Sequence, residues 1–187
     1  MALNNSPSRS TPLVQILAAA NFAARAHAGQ KRKGAAAEPY INHLIEVAEL
    51  VARSGNDADV NLIMACFLHD VIEDTPITQQ ELARVFNDDV ASLVMEATDD
   101  TTLPKDERKA MQVQTAPHKS TRAQTLKLAD KISNLRALLI SPPPQWSAER
   151  KRQYFDWAKA VVSGFTEPNS YLWKEFQEAY ARITEIT

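Results

Sequence analysis

Apolar residues recur at helical spacing along most of the chain, and turn signals divide them into separate segments. Thr11 followed by Pro12 reads as an N-cap with proline in the first turn, opening a helix that closes near Gly29. A second helix, over 42–55, carries Leu44, Val47, Ala48 and Val51 on one face and stops at Gly55. The third runs over 57–74 and ends before Pro76, and Thr78 with Glu81 frames a capping box for a short fourth. Residues 88–100 form a fifth, and the polar stretch that follows, through "TLPKDERK", reads as a connection. A long helix over 121–140 is stopped by Pro142, Pro143 and Pro144, and helices over 147–165 and 169–186 finish the chain. No segment shows the alternation of a half-buried strand, so the pattern predicts an all-α fold of about eight to ten helices. One domain over 11–187 is expected, behind a flexible polar tail at 1–10.

Composition narrows this picture. A chain of 187 residues suits one domain able to bury about two-thirds of its unfolded surface. With 44% hydrophobic and 24% charged residues it belongs among globular proteins, and its four glycines favour helices over turn-rich β structure. A net charge of −2 and a pI near 6.1 exclude a general nucleic-acid or membrane binder. Any polyanionic ligand must therefore meet a local basic cluster. The single Cys66 rules out a disulfide framework, and the N-terminus lacks the apolar core of a signal peptide. The expected location is the cytoplasm, with no membrane partner; monomer and homodimer both fit the pattern.

Candidate chemistry concentrates in "FLHDVIEDT", where His69, Asp70, Glu73 and Asp74 follow an almost wholly apolar run. Burying such groups unpaired is costly, which makes a metal ion the first candidate partner. Adjacent helical residues lie roughly 100° apart, so His69 and Asp70 can reach one ion. Glu73 and Asp74, a turn further on, can take a proton from a water activated beside it. His43, early in an apolar helix, and Asp130, amid Leu126, Leu128, Ala129, Ile132 and Leu135, are the further ligand candidates. Asn134 shares the face of Asp130 and can orient a ligand or substrate. Two histidines and two aspartates form a nitrogen–oxygen donor set without thiolate. It suits one Mn²⁺ ion, with Fe²⁺ or Zn²⁺ in its place, better than a structural Zn²⁺ site.

The ordered set H…HD…D resembles the HD superfamily of metal-dependent phosphohydrolases. "FAARAHAGQKRKGAAAEPYINHLIEVA", "ACFLHDVIEDT", "EATDDTTLPKDERK" and "LKLADKISNLRAL" are similar to the hydrolase domain of RelA/SpoT proteins. "RKRQYFDWAKAVVSGF" extends the likeness to stand-alone small alarmone hydrolases of the Mesh type, without a synthetase domain. The resemblance implies a small nucleotide substrate, ppGpp or pppGpp, cleaved to pyrophosphate and GDP or GTP with bound Mn²⁺. It implies metal ligation by His43, His69, Asp70 and Asp130, and water activation by Glu73 and Asp74. It assigns Arg32 and Lys33 of "QKRK", Lys105, Asn134, Arg150 and Tyr154 to the nucleotide and its phosphates. The same family includes enzymes acting on ppApp and NADPH 2′-phosphatases, and a non-catalytic nucleotide-binding copy of the fold is the remaining alternative. Two departures bear on it: Leu44 follows His43 where relatives carry proline, and Ser133 stands where many carry an aromatic, a change expected to alter the base pocket. His118 in "APHKS" is expected to be structural or close to phosphate.

Overall fold

A computed structural model describes residues 11–186; the tail expected at 1–10, with Thr187, lies outside the described residues. Helix α1 (Pro12–Ala26) starts where Thr11 Oγ1 accepts the Val14 amide at 3.4 Å, and it ends at His27, short of the expected stop. Helix α2 (Ile41–Val51) runs into a π-helical turn at Ala52–Asn56, in which Gly55 takes a φ of 86°. Only glycine adopts that left-handed geometry without strain, so the expected stop falls at this residue.

The single helix expected over 57–74 is two: α3 (Val60–Leu68) and α4 (Val71–Asp74), broken at His69 and Asp70. The cause is local. His69 Nδ1 lies 2.8 Å from the Cys66 carbonyl, the acceptor that a continued helix would offer to the Asp70 amide. Helices α5 (Gln79–Val85) and α6 (Asp88–Ala97) open at Thr78 and Asn87, whose side chains accept the amides of Glu81 and Val90. The stretch read as a connection contains α7 (Lys105–Thr115), which follows Pro104 and places Asp106 and Glu107 in its first turn. It buries no residue fully, so no apolar stripe announces it. Helices α8 (Thr121–Ile140), α9 (Ala148–Val162) and α10 (Ser170–Ala181) complete ten α-helices among the described residues. The nearest approach to a strand among them is an isolated bridge between Lys31 and Pro39.

Two helices carry the core. In α3 every residue from Leu62 to Leu68 is buried, between α1, α2 and α6. Helix α8 lies against α2, α6, α9 and α10 and buries Leu126, Leu128, Ile132 and Leu135 completely. Each such side chain contributes about 1.5–3 kcal/mol on leaving water. On the same helix, however, Lys127, Asp130 and Lys131 are also buried, and such groups require partners. Lys127 reaches Asp99, just beyond α6, at 3.8 Å, while Asp130 and Lys131 pair at 3.1 Å where α2, the α3–α4 break and the middle of α8 converge.

Candidate active site

His43, the third residue of α2, His69 at the helix break, Asp70 beside it and Asp130 on α8 meet at one point. His43 Nε2 lies 3.6 Å from Asp70 Oδ2 and 3.4 Å from Asp130 Oδ1. His69 Nε2 lies 3.2 Å from Asp70 Oδ2 and 3.9 Å from Asp130 Oδ1. The ligand atoms of His43, His69 and Asp130 all fall within 4.8 Å of one another, and all three residues are buried.

The other ring nitrogens explain why both Nε2 atoms face inward. His69 Nδ1 donates to the Cys66 carbonyl at 2.8 Å, and His43 Nδ1 donates to Ser133 Oγ at 2.8 Å while that hydroxyl donates to Glu46 Oε2 at 2.6 Å. Each Nε2 thus presents a lone pair. That of His69 is buried and has no hydrogen-bond partner. Two Nε2 lone pairs converge on two carboxylate oxygens that already accept from Tyr40 and Asn134, and a divalent cation would engage all four. The donor set therefore fits a metal ion.

The two imidazoles differ electrostatically, and only that of His43 is pushed toward the neutral, lone-pair form. Burial lowers the His43 imidazole below its usual value; at His69 burial acts the same way, but Asp70 and Asp130 outweigh it and raise it. Burial raises both carboxyls, yet His69 and His43 hold Asp70 well below the usual range, and Lys131 with His43 does so for Asp130. The carboxylates stay ionised. Tyr40 donates to Asp70 Oδ2 at 2.6 Å, Asn134 Nδ2 to Asp130 Oδ1 at 2.5 Å and Lys131 Nζ to Asp130 Oδ2 at 3.1 Å.

Glu73 and Asp74 are the last two residues of α4, beside the cluster. Burial, then Asp99 and Asp70, push the Glu73 carboxyl above its ordinary value, although the Asp99 amide donates to it at 3.4 Å and Arg108 lies 3.7 Å away. Asp74 is exposed and accepts from Gln30 Nε2 at 2.7 Å. Both line a cleft of about 1070 Å³, as do His43, Asp70, Arg32, Lys33, Lys105, Asn134, Arg150 and Tyr154. His69 and Asp130 lie beneath its surface.

Arg32 donates to Asn134 Oδ1 at 3.1 Å and its guanidinium lies 6.0 Å from the Tyr40 ring. Lys105 and Lys33 are exposed, and Arg150 packs over Trp146 at 4.5 Å. Tyr154 is half-buried between Trp146 and Trp157, at 5.8 and 5.1 Å, and burial raises its hydroxyl. Ser133 lines the cleft, but its hydroxyl is spent between His43 and Glu46 rather than offered to a base. His118 is exposed on a 3₁₀ turn and does not line this cleft. The sequence reading passed over Tyr40, Glu46 and Lys131, which hold the ligands, because their partners are distant in sequence or masked by apolar neighbours.

The class that this helical frame and buried cluster define is the HD domain, whose family model matches residues 19–156. The chain is 47% identical over 157 residues to the guanosine-3′,5′-bis(diphosphate) 3′-pyrophosphohydrolase MESH1 of Xenopus tropicalis, covering 84% of this chain and 88% of that protein. It is 47% identical to the human MESH1, with the same coverage, and 39% identical to that of Drosophila melanogaster over 90% of this chain and 94% of the relative. A solved structure, described as a metazoan ortholog of SpoT that hydrolyses ppGpp and plays a role in starvation responses, matches with a TM-score of 0.88. That match has 38% identity and covers 92% of this chain and 97% of the other. The chain belongs to the HD domain family and, within it, to the MESH1 family of small alarmone hydrolases. Among the described residues no helix is long and apolar enough to cross a membrane.

Proposed function

We propose that this chain hydrolyses ppGpp and pppGpp at the 3′-pyrophosphate, giving pyrophosphate with GDP or GTP. The observation that carries the reading is the buried, unpartnered Nε2 of His69, facing two aspartates beneath a cleft that is large enough for a nucleotide and lined by Arg32, Lys33, Lys105 and Arg150. Membership of the MESH1 family supports the choice of substrate.

His43, His69, Asp70 and Asp130 would hold one divalent ion, Mn²⁺ by preference, with Fe²⁺ or Zn²⁺ as substitutes. When bound, such an ion supplies Lewis acidity and lowers the pKa of water. Glu73, whose carboxyl is raised above its ordinary value by burial, takes the proton of the attacking water. Asp74, one residue on and facing the same cleft, orients that water. Attack forms a new oxygen–phosphorus bond at the phosphorus next to the ribose and breaks the bond to the 3′-oxygen, which leaves as the hydroxyl of GDP after taking a proton from solvent. Arg32 and Lys33 meet the nucleotide and its phosphates, with Asn134 fixing the Arg32 guanidinium. Lys105 and Arg150 meet the 5′-phosphates, and Tyr154 packs against sugar or base.

The test is product analysis of Mn²⁺-loaded protein with ppGpp, ppApp and NADPH in parallel, beside Asp70→Ala. GDP and pyrophosphate, lost in the variant, are expected. Cleavage of ppApp alone, or orthophosphate from NADPH alone, would reassign the substrate. No product from any of the three, with metal bound, would leave a binding role.

A further inference from the structure

His27 is used by none of the steps above, yet it is placed to act on them. It caps the C-terminal end of α1, is 3% exposed, and its Nε2 is buried without a partner. Its Nδ1 lies 2.6 Å from Gln30 Oε1, and Gln30 Nε2 donates to Asp74 Oδ2 at 2.7 Å. The direction of this chain follows from its last member. A carboxylate only accepts, so the amide nitrogen of Gln30 faces Asp74, its oxygen faces His27, and His27 Nδ1 carries the proton. The backbone fixes the middle link: the Gln30 amide donates to the His27 carbonyl at 2.9 Å, and the Gln30 carbonyl accepts the Tyr40 amide at 3.0 Å.

The same imidazole stacks on Tyr40, with ring centres 5.1 Å apart and planes 29° from parallel, and Tyr40 holds Asp70. One buried ring thus supports both acids through separate arms. A ring kept for packing alone would leave no unsatisfied nitrogen if it were phenylalanine, and an unpaired buried nitrogen is destabilising. Asp74 gives the arrangement a purpose. It is exposed, at the end of a four-residue helix, and Gln30 is its hydrogen-bond anchor from the opposite wall.

We propose that His27, acting through Gln30, is a positioning residue that fixes the Asp74 carboxylate for the water it orients. This rests on the hydrolytic reading of Asp74 given above. A hydrogen bond to a charged group carries a factor of roughly ten to a hundred in an equilibrium, which bounds the effect.

Steady-state kinetics on ppGpp with saturating Mn²⁺ would compare His27→Phe, His27→Asn, Gln30→Met, Gln30→Glu and Asp74→Asn, with melting curves confirming that each folds. Phenylalanine keeps the stacked ring and loses the donor; asparagine keeps a donor near Nδ1 and loses the ring. The relay predicts that kcat falls about tenfold or more in His27→Phe, with KM within about twofold, and that His27→Asn retains more kcat than His27→Phe. Gln30→Glu, nearly isosteric but set against Asp74, should lose more kcat than Gln30→Met. The reverse order of the His27 pair, or wild-type kcat in Gln30→Glu, overturns the proposal. The Gln30 pair decides alone should a His27 variant fail to fold. If Asp74→Asn turns over like wild type, the role of Asp74 and the relay both fall. If only Asp74→Asn is impaired, the relay alone falls.

Discussion

Adding one methyl group to Gly34 should separate substrate capture from chemistry. Gly34 follows Lys33 in the basic loop and lies against the C-terminal end of α8. A Cβ placed there would sit 2.1 Å from the Ser141 carbonyl oxygen and 2.8 Å from its Oγ. The carbonyl is backbone and cannot rotate aside, so in Gly34→Ala the loop must move. It then gives up two anchors, Ala35 N to Pro142 O at 3.2 Å and Ala36 N to Ser141 Oγ at 2.8 Å. Each is worth about 0.5–1.5 kcal/mol net, so the stability cost is about 1–3 kcal/mol. For a chain of this size that lowers Tm by about 2–12 °C. The functional cost falls on Arg32, whose 3.1 Å bond to Asn134 sets its direction. Losing one charge-assisted contact costs about 1.5–3 kcal/mol, so KM for ppGpp should rise roughly ten- to a hundredfold. Because the His/Asp cluster and Glu73 lie off the loop, kcat should stay within about threefold. The assay is steady-state kinetics with saturating Mn²⁺ beside thermal melts. An unchanged KM in a folded variant would refute the role of the loop, and an equal loss in kcat would show that it also carries the chemistry.

Three further outcomes follow from the same geometry. At Mn²⁺ a hundredfold above its Kd, binding to the folded state alone adds about 2.7 kcal/mol, or about 5–11 °C in Tm; Asp70→Asn should abolish the shift while keeping a carbonyl acceptor for Tyr40, and equal shifts in both proteins would sink the metal assignment. Glu73→Gln should cost about a hundredfold or more in kcat. It should also raise the metal-free Tm at neutral pH, because burial, Asp99 and Asp70 disfavour the ionised form in the fold. The folded carboxyl titrates above its unfolded value, so that gain should shrink as pH falls through the folded value and be gone below the unfolded one; a gain that persists in acid would contradict the stated cause. Phe155→Ala, at a fully buried site facing Tyr180, should cost about 3–5 kcal/mol in urea unfolding; a cost under about 1 kcal/mol would mean that α9 is not packed as described.

The sequence was most readable where polar groups interrupt apolar runs. His69 and Asp70 follow "NLIMACFL", and Asp130 stands among leucines, so each was visible as a burial that needs a partner. Helix caps at Thr11 and Thr78 and the stop at Gly55 were equally legible, because they depend on neighbouring residues. Helix α7 was not: "KDERKAMQVQT" buries none of its residues and carries little apolar signal. The break at His69 arises from a side chain engaging the Cys66 carbonyl, which periodicity does not register. The groups behind the ligands were hidden for another reason. Ser133 and Glu46 meet across 87 positions, and Gln30 and Asp74 across 44, so only the fold reveals them.

The measurement that bears most directly on metal-dependent 3′-pyrophosphate hydrolysis is the stoichiometry of products from ppGpp, resolved by anion exchange, before and after chelation and after Mn²⁺ is returned. GDP and pyrophosphate in equal amounts are expected, with both lost on chelation and both restored by Mn²⁺. Orthophosphate released in place of pyrophosphate, or turnover that persists once the metal is demonstrably removed, would contradict it.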